Sequence, residues 1–216
     1  MNIQWNILGN TPIIQYLTRI ALNSSPNHAY TFLGQRGIGK TTVALKLAQI
    51  LLCENKTDIV PCHACQNCKL HLSFSNPDIH IIQRVLDETE KSLKKNISIE
   101  QIQMLEEVLS RRSFFNNYKI SIISEADTLS DKAANALLKT LEEPYPKTIF
   151  ILIARHLQYI PKTIASRCQI LHFYPVKDDV IFEHLIRQGC ERNKAEIITK
   201  ISGGSPGIAI DRKSVV

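Results

Sequence analysis

The run Gly34-Gln35-Arg36-Gly37-Ile38-Gly39-Lys40-Thr41 constrains this chain more than any other stretch of it. It fits the pattern GxxxxGK[ST], follows the β-branched, aromatic segment HAYTFLG (28–34) and opens the helix-like segment TTVALKLAQILLC (41–53). A strand, a glycine-rich turn and a helix in that order make a phosphate cradle. The glycines let backbone N–H groups turn inward, and the helix N-terminus adds partial positive charge. Lys40 reaches terminal phosphates and Thr41 offers a hydroxyl to Mg²⁺. Gly34, Gly37, Gly39, Lys40, Thr41 and Thr42 are therefore the candidate nucleotide-binding residues. A glycine-rich turn with a surface lysine is the bland alternative, and the flanking strand and helix argue against it.

Four more segments read as strands: DIHIIQ (78–83), YKISIIS (118–124), KTIFILIA (147–154) and CQILHFY (168–174). Between them, SIEQIQMLEEVLSRR (98–112) and SDKAANALLKTLEE (130–143) carry apolar positions three or four apart and read as crossover helices. Ser98 and Gln101 form a capping box, Ser130 caps the next helix, and Pro144 and Pro146 stop it. This alternation dictates an α/β fold, a five-stranded parallel sheet with helices on both faces. A polar, Cys-rich insert interrupts it between Glu54 and Asn76, and a charged run at 84–97 reads as a loop. After Pro175 the pattern turns helical. Residues 1–175 thus read as one α/β domain and 176–216 as a small helical unit whose last helix looks unfinished, as in a piece of a longer protein.

Cys53, Cys62, Cys65 and Cys68 have the spacing C-x8-C-x2-C-x2-C. Without a secretion signal, cysteines are expected to be reduced, so this cluster points to metal before disulfides. Thiolates two residues apart can occupy adjacent corners of a tetrahedron, and Zn²⁺ could order an insert too small for its own core. An iron-sulfur cluster is the alternative, although its common run places the fourth cysteine where Leu72 stands. Four thiolates close the site, which makes its role structural. His63 and His71 read as spare, and Cys168 and Cys190 as semi-buried small residues.

Hydrolysis needs an acidic pair at the end of a neighbouring strand. Here the strand ends Ser124-Glu125-Ala126-Asp127. Glu125 could polarise water, but Ser124 is a poor ligand for a hard cation. Asp127 is either a substitute metal ligand or a cap for the helix beginning at Ser130. Charge adds little: 26 Lys and Arg against 20 Asp and Glu give +6, which fits a solvated basic surface as well as a nucleic-acid partner. No apolar run approaches the roughly 20 residues of a membrane helix, and a cytoplasmic protein with no membrane partner is expected.

The phosphate loop, the four-cysteine module after the next helix, the stretch Ala134-Asn135-Ala136-Leu137-Leu138-Lys139-Thr140-Leu141-Glu142-Glu143-Pro144, and Ser166-Arg167-Cys168 before the last strand form a constellation. It resembles the bacterial DNA polymerase III clamp-loader subunits of the AAA+ class over nearly the whole chain. The resemblance implies an AAA+ P-loop domain at 1–175 with a zinc module near 53–76, then a helical lid at 176–216 with a collar beyond it. It implies partners too: gamma/tau and delta subunits, the sliding clamp within the complex and, indirectly, primer-template DNA. By the same resemblance Arg167 is a trans arginine finger reaching a neighbour's ATP; the alternative is an exposed surface arginine.

Two subunit types share these motifs, the gamma/tau motor and the largely inactive delta-prime subunit. Three departures favour the second: Ser124 where the metal-binding Asp is expected, Arg155-His156 where a sensing Thr is expected, and Gly204-Ser205-Pro206-Gly207-Ile208-Ala209 where the lid's γ-phosphate-sensing Arg is expected. The segments IQWNILGNTPIIQYL and NPDIHII are also similar to that subunit. The intact loop cuts the other way, so the expectation is ATP binding with weak or absent hydrolysis. An active gamma/tau-type ATPase, with Glu125 as its base, is the alternative. A zinc-dependent nucleic-acid module is a third reading, but the insert lacks a strongly basic or aromatic-interleaved surface.

Overall fold

A computed structural model describes residues 2–3, 5–55, 59–87, 91–115 and 117–213. Parts of the Cys-rich insert (56–58) and of the charged run (88–90), and residues 214–216 of the segment read as a last helix in the sequence, lie outside the described residues. In chain order the elements are β1 (Asn2–Ile3), α1 (Thr11–Leu22), β2 (Ala29–Leu33), α2 (Lys40–Leu52), β3 (Ile59–Val60), α3 (Gln66–Leu72) and β4 (Ile79–Ile82). Then come β5 (Leu86–Asp87), β6 (Ser92–Leu93), α4 (Ile99–Ser110), β7 (Lys119–Ile123), α5 (Asp131–Glu142), β8 (Thr148–Ala154), α6 (Lys162–Ala165) and β9 (Gln169–His172). Helices α7 (Asp178–Arg187), α8 (Arg192–Ser202) and α9 (Pro206–Lys213) end the chain.

The main sheet has the order β4-β7-β8-β2-β9, every neighbouring pair parallel. Its central strands β2, β7 and β8 are buried along their whole length, as continuous β-branched runs require when helices cover both faces. Side chains alternate between two cores with the period of the pleat. Tyr30, Phe32, Ile120, Ile122, Ile149, Ile151 and Ile153 pack with α1, α2, α7 and α8. Ala29, Leu33, Ile123, Phe150, Leu152 and Ala154 pack with α4, α5 and α6.

The local signals hold. The Ser98–Gln101 capping box is formed, with the Ser98 N–H donating to Gln101 Oε1 at 3.2 Å. Ser130 Oγ accepts from the Ala133 N–H at 3.2 Å and starts α5. A buried carboxylate, Asp78, accepts from the Phe114 and Phe115 N–H groups at 2.8 and 3.1 Å, tying the loop before β7 to the start of β4.

The charged run at 84–97 is corrected: it contains an antiparallel ribbon, Leu86 opposite Leu93 and Asp87 opposite Ser92. Both leucines are exposed, so no apolar stripe marked these two-residue strands in the sequence. Helix α1 and the small parallel β1–β3 pair are likewise additions. Helix α1 is fixed by buried Leu17 and Ala21, and by Trp5 Nε1 donating to Thr18 Oγ1 at 2.8 Å. Among the described residues no helix is long and apolar enough to cross a membrane.

Phe150 sits fully buried in the middle of β8. Phe150→Ala is expected to lower unfolding stability by about 3–5 kcal/mol, measured by denaturant titration, because a central strand cannot collapse onto the void.

Candidate functional site

Because the five strands are parallel, their carboxyl ends share one rim, where α/β sheets bind ligands. The loop 34–39 leaves β2 at this rim and delivers Lys40 to the first turn of α2, with Gly39 in the left-handed region (φ 100°) at the N-cap. Above it lies a cavity of about 880 Å³ lined by residues 36–42, by Arg84 after β4, by Ser124, Glu125 and Asp127 after β7, and by Arg155 after β8. Its far walls come from Asn6, Ile7 and Leu8 and from His184, Pro206, Gly207 and Ile210. This volume lies within the range of small-molecule pockets.

The C-terminal helices touch the loop itself. The Gly207 N–H donates to the Gly37 carbonyl at 2.8 Å, and Ser205 Oγ donates to the Arg36 carbonyl at 3.0 Å. Gln35 Nε2 donates to Gly203 O at 2.7 Å and to Ser205 Oγ at 2.8 Å. Such an approach leaves no room for a side chain: a Cβ on Gly37 (φ 77°) would fall 2.7 Å from Ile208 Cγ1, and one on Gly207 would fall 2.9 Å from the Gly37 oxygen. The stretch 204–209, read in sequence only as a missing arginine, is thus the seat of the helical unit on the phosphate loop.

Lys40 is buried, and its ammonium donates to the carbonyls of Gly34 and, at 2.8 Å, Gln35. Burial pulls its pKa down to about 8, partly offset by Asp127, while Arg155 pushes the same way as burial. Glu125 stands in the left-handed region (φ 57°) just after β7 and is gripped at both oxygens by Arg84, Nε–Oε2 at 2.8 Å and Nη2–Oε1 at 3.0 Å. The guanidinium holds the Glu125 carboxyl below the usual carboxylate range. Asp127 does not cap α5, a role Ser130 fills; it lies in the short 3₁₀ turn Ala126–Thr128, lines the cavity and accepts from the Arg155 N–H at 3.4 Å. Arg84 and Arg36 were not recognised in the sequence as site residues. The signal that could have found Arg84 is positional, two residues past a parallel strand.

A triphosphate suits this rim, with inward N–H groups, a helix N-terminus and cationic side chains. Resident Mg²⁺ suits it poorly. Thr41 lines the cavity, but Ser124 occupies the strand end and Glu125 is engaged by Arg84, which leaves Asp127, beside Arg155, as the remaining lining carboxylate for a cation that is bound through carboxylates and phosphates.

Arg167 is not among the cavity-lining residues. It precedes β9 on the surface, with Nη2 2.7 Å from Glu142 Oε1 and Nη1 donating to Thr163 O at 2.8 Å and Ser166 Oγ at 3.3 Å.

The four cysteines converge. Their Sγ atoms all lie within 4.8 Å of one another, and Cys62 and Cys68 are 3.9 Å apart. A tetrahedron around one zinc has edges of about 3.8 Å. The N–H groups of Cys62, Cys65 and Cys68 donate to Cys53, Cys62 and Cys65 sulfurs at 3.3–3.4 Å, the polarity a thiolate cage needs. Amide donation from Cys65 and Ala64 pulls the Cys62 thiol pKa down, while burial pushes those of Cys53 and Cys68 up. The donor set therefore fits a thiophilic ion. Cys168 and Cys190 lie apart, half-buried.

Phosphate in the loop restores charge partners to Lys40 and raises its pKa, so the complex holds more protons than the free chain above about pH 8. Affinity for a triphosphate is expected to fall as pH rises from 7 to 9 and to flatten in Lys40→Gln, measured by calorimetric titration at fixed ionic strength.

Comparison with known proteins places these features in one family. The family described as "DNA polymerase III, delta subunit" matches residues 9–177. DNA polymerase III subunit delta' of Bacillus subtilis is 38% identical over 177 residues, covering 82% of this chain and 51% of that protein. Subunit delta' of Haemophilus influenzae is 30% identical over 202 residues, covering 93% and 59%. DNA polymerase III subunit tau of Bacillus subtilis is 35% identical over 176 residues, covering 82% and 30%. The chain thus spans between half and three fifths of the delta' proteins it matches. Among solved structures, the RuvB Holliday junction branch migration motor of Thermotoga maritima superposes with a TM-score of 0.58 at 16% identity, covering 96% of this chain and 61% of that one. At that identity the likeness shows the AAA+ fold alone. With the family match over most of its length and these relatives, the chain belongs to the DNA polymerase III clamp-loader subunits and is most like subunit delta'.

Proposed function

We propose that this chain is a non-motor, delta-prime-type subunit of the clamp loader, binding ATP without efficient turnover and supplying Arg167 to a neighbouring ATPase subunit. The observation that carries this reading is the rim after β7, where Ser124 stands at the strand end and Arg84 holds both oxygens of Glu125. A general base needs a free carboxylate within reach of water, and an ion pair at both oxygens opposes that. Arg167 supports the second half of the reading, because it lies outside its own cavity yet on the surface, held by Glu142 and the Thr163 carbonyl. An arginine so placed is available to a phosphate on a neighbouring chain once Glu142 releases it.

In this reading residues 1–175 form the AAA+ domain, with the four cysteines of the 53–76 module holding structural Zn²⁺, and residues 176–216 form a lid. Gly34, Gly37, Gly39, Lys40, Thr41 and Thr42 cradle the phosphates. Partners are the gamma/tau and delta subunits, then the sliding clamp and primer-template DNA through the assembled complex, in the cytoplasm. Loading of the clamp in replication is coupled to this chain through Arg167, which senses the neighbour's ATP.

A second reading, an active gamma/tau-type ATPase, is favoured by the intact phosphate loop and by the 35% identity to a tau subunit. It requires Arg84 to release Glu125.

Arg167→Ala is expected to lower DNA-stimulated ATP turnover at the adjoining site of the reconstituted complex by about tenfold or more. Binding of ATP to this chain alone should stay unchanged. Unchanged turnover at saturating subunit counts against the trans finger. Elemental analysis of the purified chain should give one zinc per chain, and Cys62→Ser should reduce that content and lower the thermal midpoint.

A further inference from the structure

The cavity carries more positive than negative side chains. Among its lining side chains four are cationic, Arg36, Lys40, Arg84 and Arg155, and two are carboxylates, Glu125 and Asp127. One of those carboxylates is consumed by Arg84 in a bidentate pair. The other sits in the Coulombic field of Lys40 and Arg84 and takes the backbone N–H of Arg155. A divalent cation entering beside Thr41 meets Ser124 at the strand end and Asp127 as the one lining carboxylate outside the Arg84 pair, inside a surplus of positive charge. A polyphosphate entering without its cation meets the opposite situation. Arg36 and Arg155 are exposed at the mouth, neither is in an ion pair among the described residues, and planar guanidinium groups bind phosphate oxygens bidentately.

Resting on the reading that this loop binds nucleotide, we propose that the cavity takes a nucleoside triphosphate as its metal-free anion, with Arg155 and Arg36 supplying the positive charge that Mg²⁺ supplies in other phosphate-loop sites. Arg155 follows β8 immediately and so faces the loop across the rim. The substitution at the strand end and the arginine at the next strand end are then one adaptation: the first removes a metal ligand, the second replaces the metal's charge. A site of this kind holds its ligand but lacks the cation that draws charge from the γ-phosphate during transfer, which fits retention over turnover.

The test is calorimetric titration of ATP into the intact chain in EDTA and again in excess Mg²⁺ at equal ionic strength, for the natural chain and for Arg155→Ala. Affinity in EDTA is expected to equal or exceed that in Mg²⁺. Arg155→Ala should weaken binding in EDTA by about tenfold or more, the loss of one charge-assisted contact, and less in Mg²⁺. Circular dichroism and the thermal midpoint of the variant show whether it folds. Should it fail to fold, Arg155→Lys, which keeps charge but loses the bidentate fork, is expected to weaken EDTA binding by a smaller factor. Binding that tightens more than about tenfold on adding Mg²⁺ overturns the metal-free site. Metal-independent binding that Arg155→Ala or Arg155→Lys leaves unchanged overturns the role of Arg155. Binding in neither condition overturns the nucleotide-binding reading itself and this proposal with it.

Discussion

Five parallel strands cannot be joined by tight turns, and that constraint organises the molecule. Each strand must return over a helix, so every strand ends on the same rim, and whatever residues follow the strands are thrown together there. Gly34 follows β2, Arg84 follows β4, Ser124 and Glu125 follow β7, and Arg155 follows β8. Residues far apart in sequence share one cavity because of strand polarity alone. The helical unit completes the wall by setting two glycines, Gly37 and Gly207, against each other.

Electrostatics then decides what the rim does. A buried ammonium at the start of α2 donates to two loop carbonyls, and burial weakens its hold on the proton. On the same rim the Glu125 carboxylate is paired at both oxygens with the guanidinium of Arg84, which follows the neighbouring strand. The first makes phosphate binding depend on the protonation of Lys40, and the second takes a carboxylate of the rim out of general-base use. The four-cysteine cluster lies at the other end of α2: Cys53 follows the last turn of the helix that Lys40 begins, and the four Sγ atoms lie within 4.8 Å of one another.

The sheet was legible because its strands are continuous β-branched runs and its crossover helices carry caps such as Ser98–Gln101 and Ser130. The phosphate loop and the cysteine cluster were legible because their chemistry needs fixed spacings. What escaped had no local signature. The β5–β6 ribbon is two residues deep with its leucines exposed, and β1–β3 pairs segments separated by more than fifty residues. Arg84 belongs to the site through the pairing of β4 with β7, which no spacing encodes. Asp127 illustrates the limit well: metal ligand and helix cap are equally open in sequence, and in the structure Ser130 takes the cap while Asp127 lines the cavity and accepts from the Arg155 N–H, a contact no spacing encodes.

The central claim is that this chain holds a nucleotide it does not turn over. Single-turnover hydrolysis by the purified chain, with bound radiolabelled ATP followed in the presence of Mg²⁺, tests it most directly. The account predicts that bound ATP stays intact for many turnovers of an active motor subunit. Hydrolysis that disappears in both Lys40→Ala and Glu125→Gln would contradict it and place the chain among the motors.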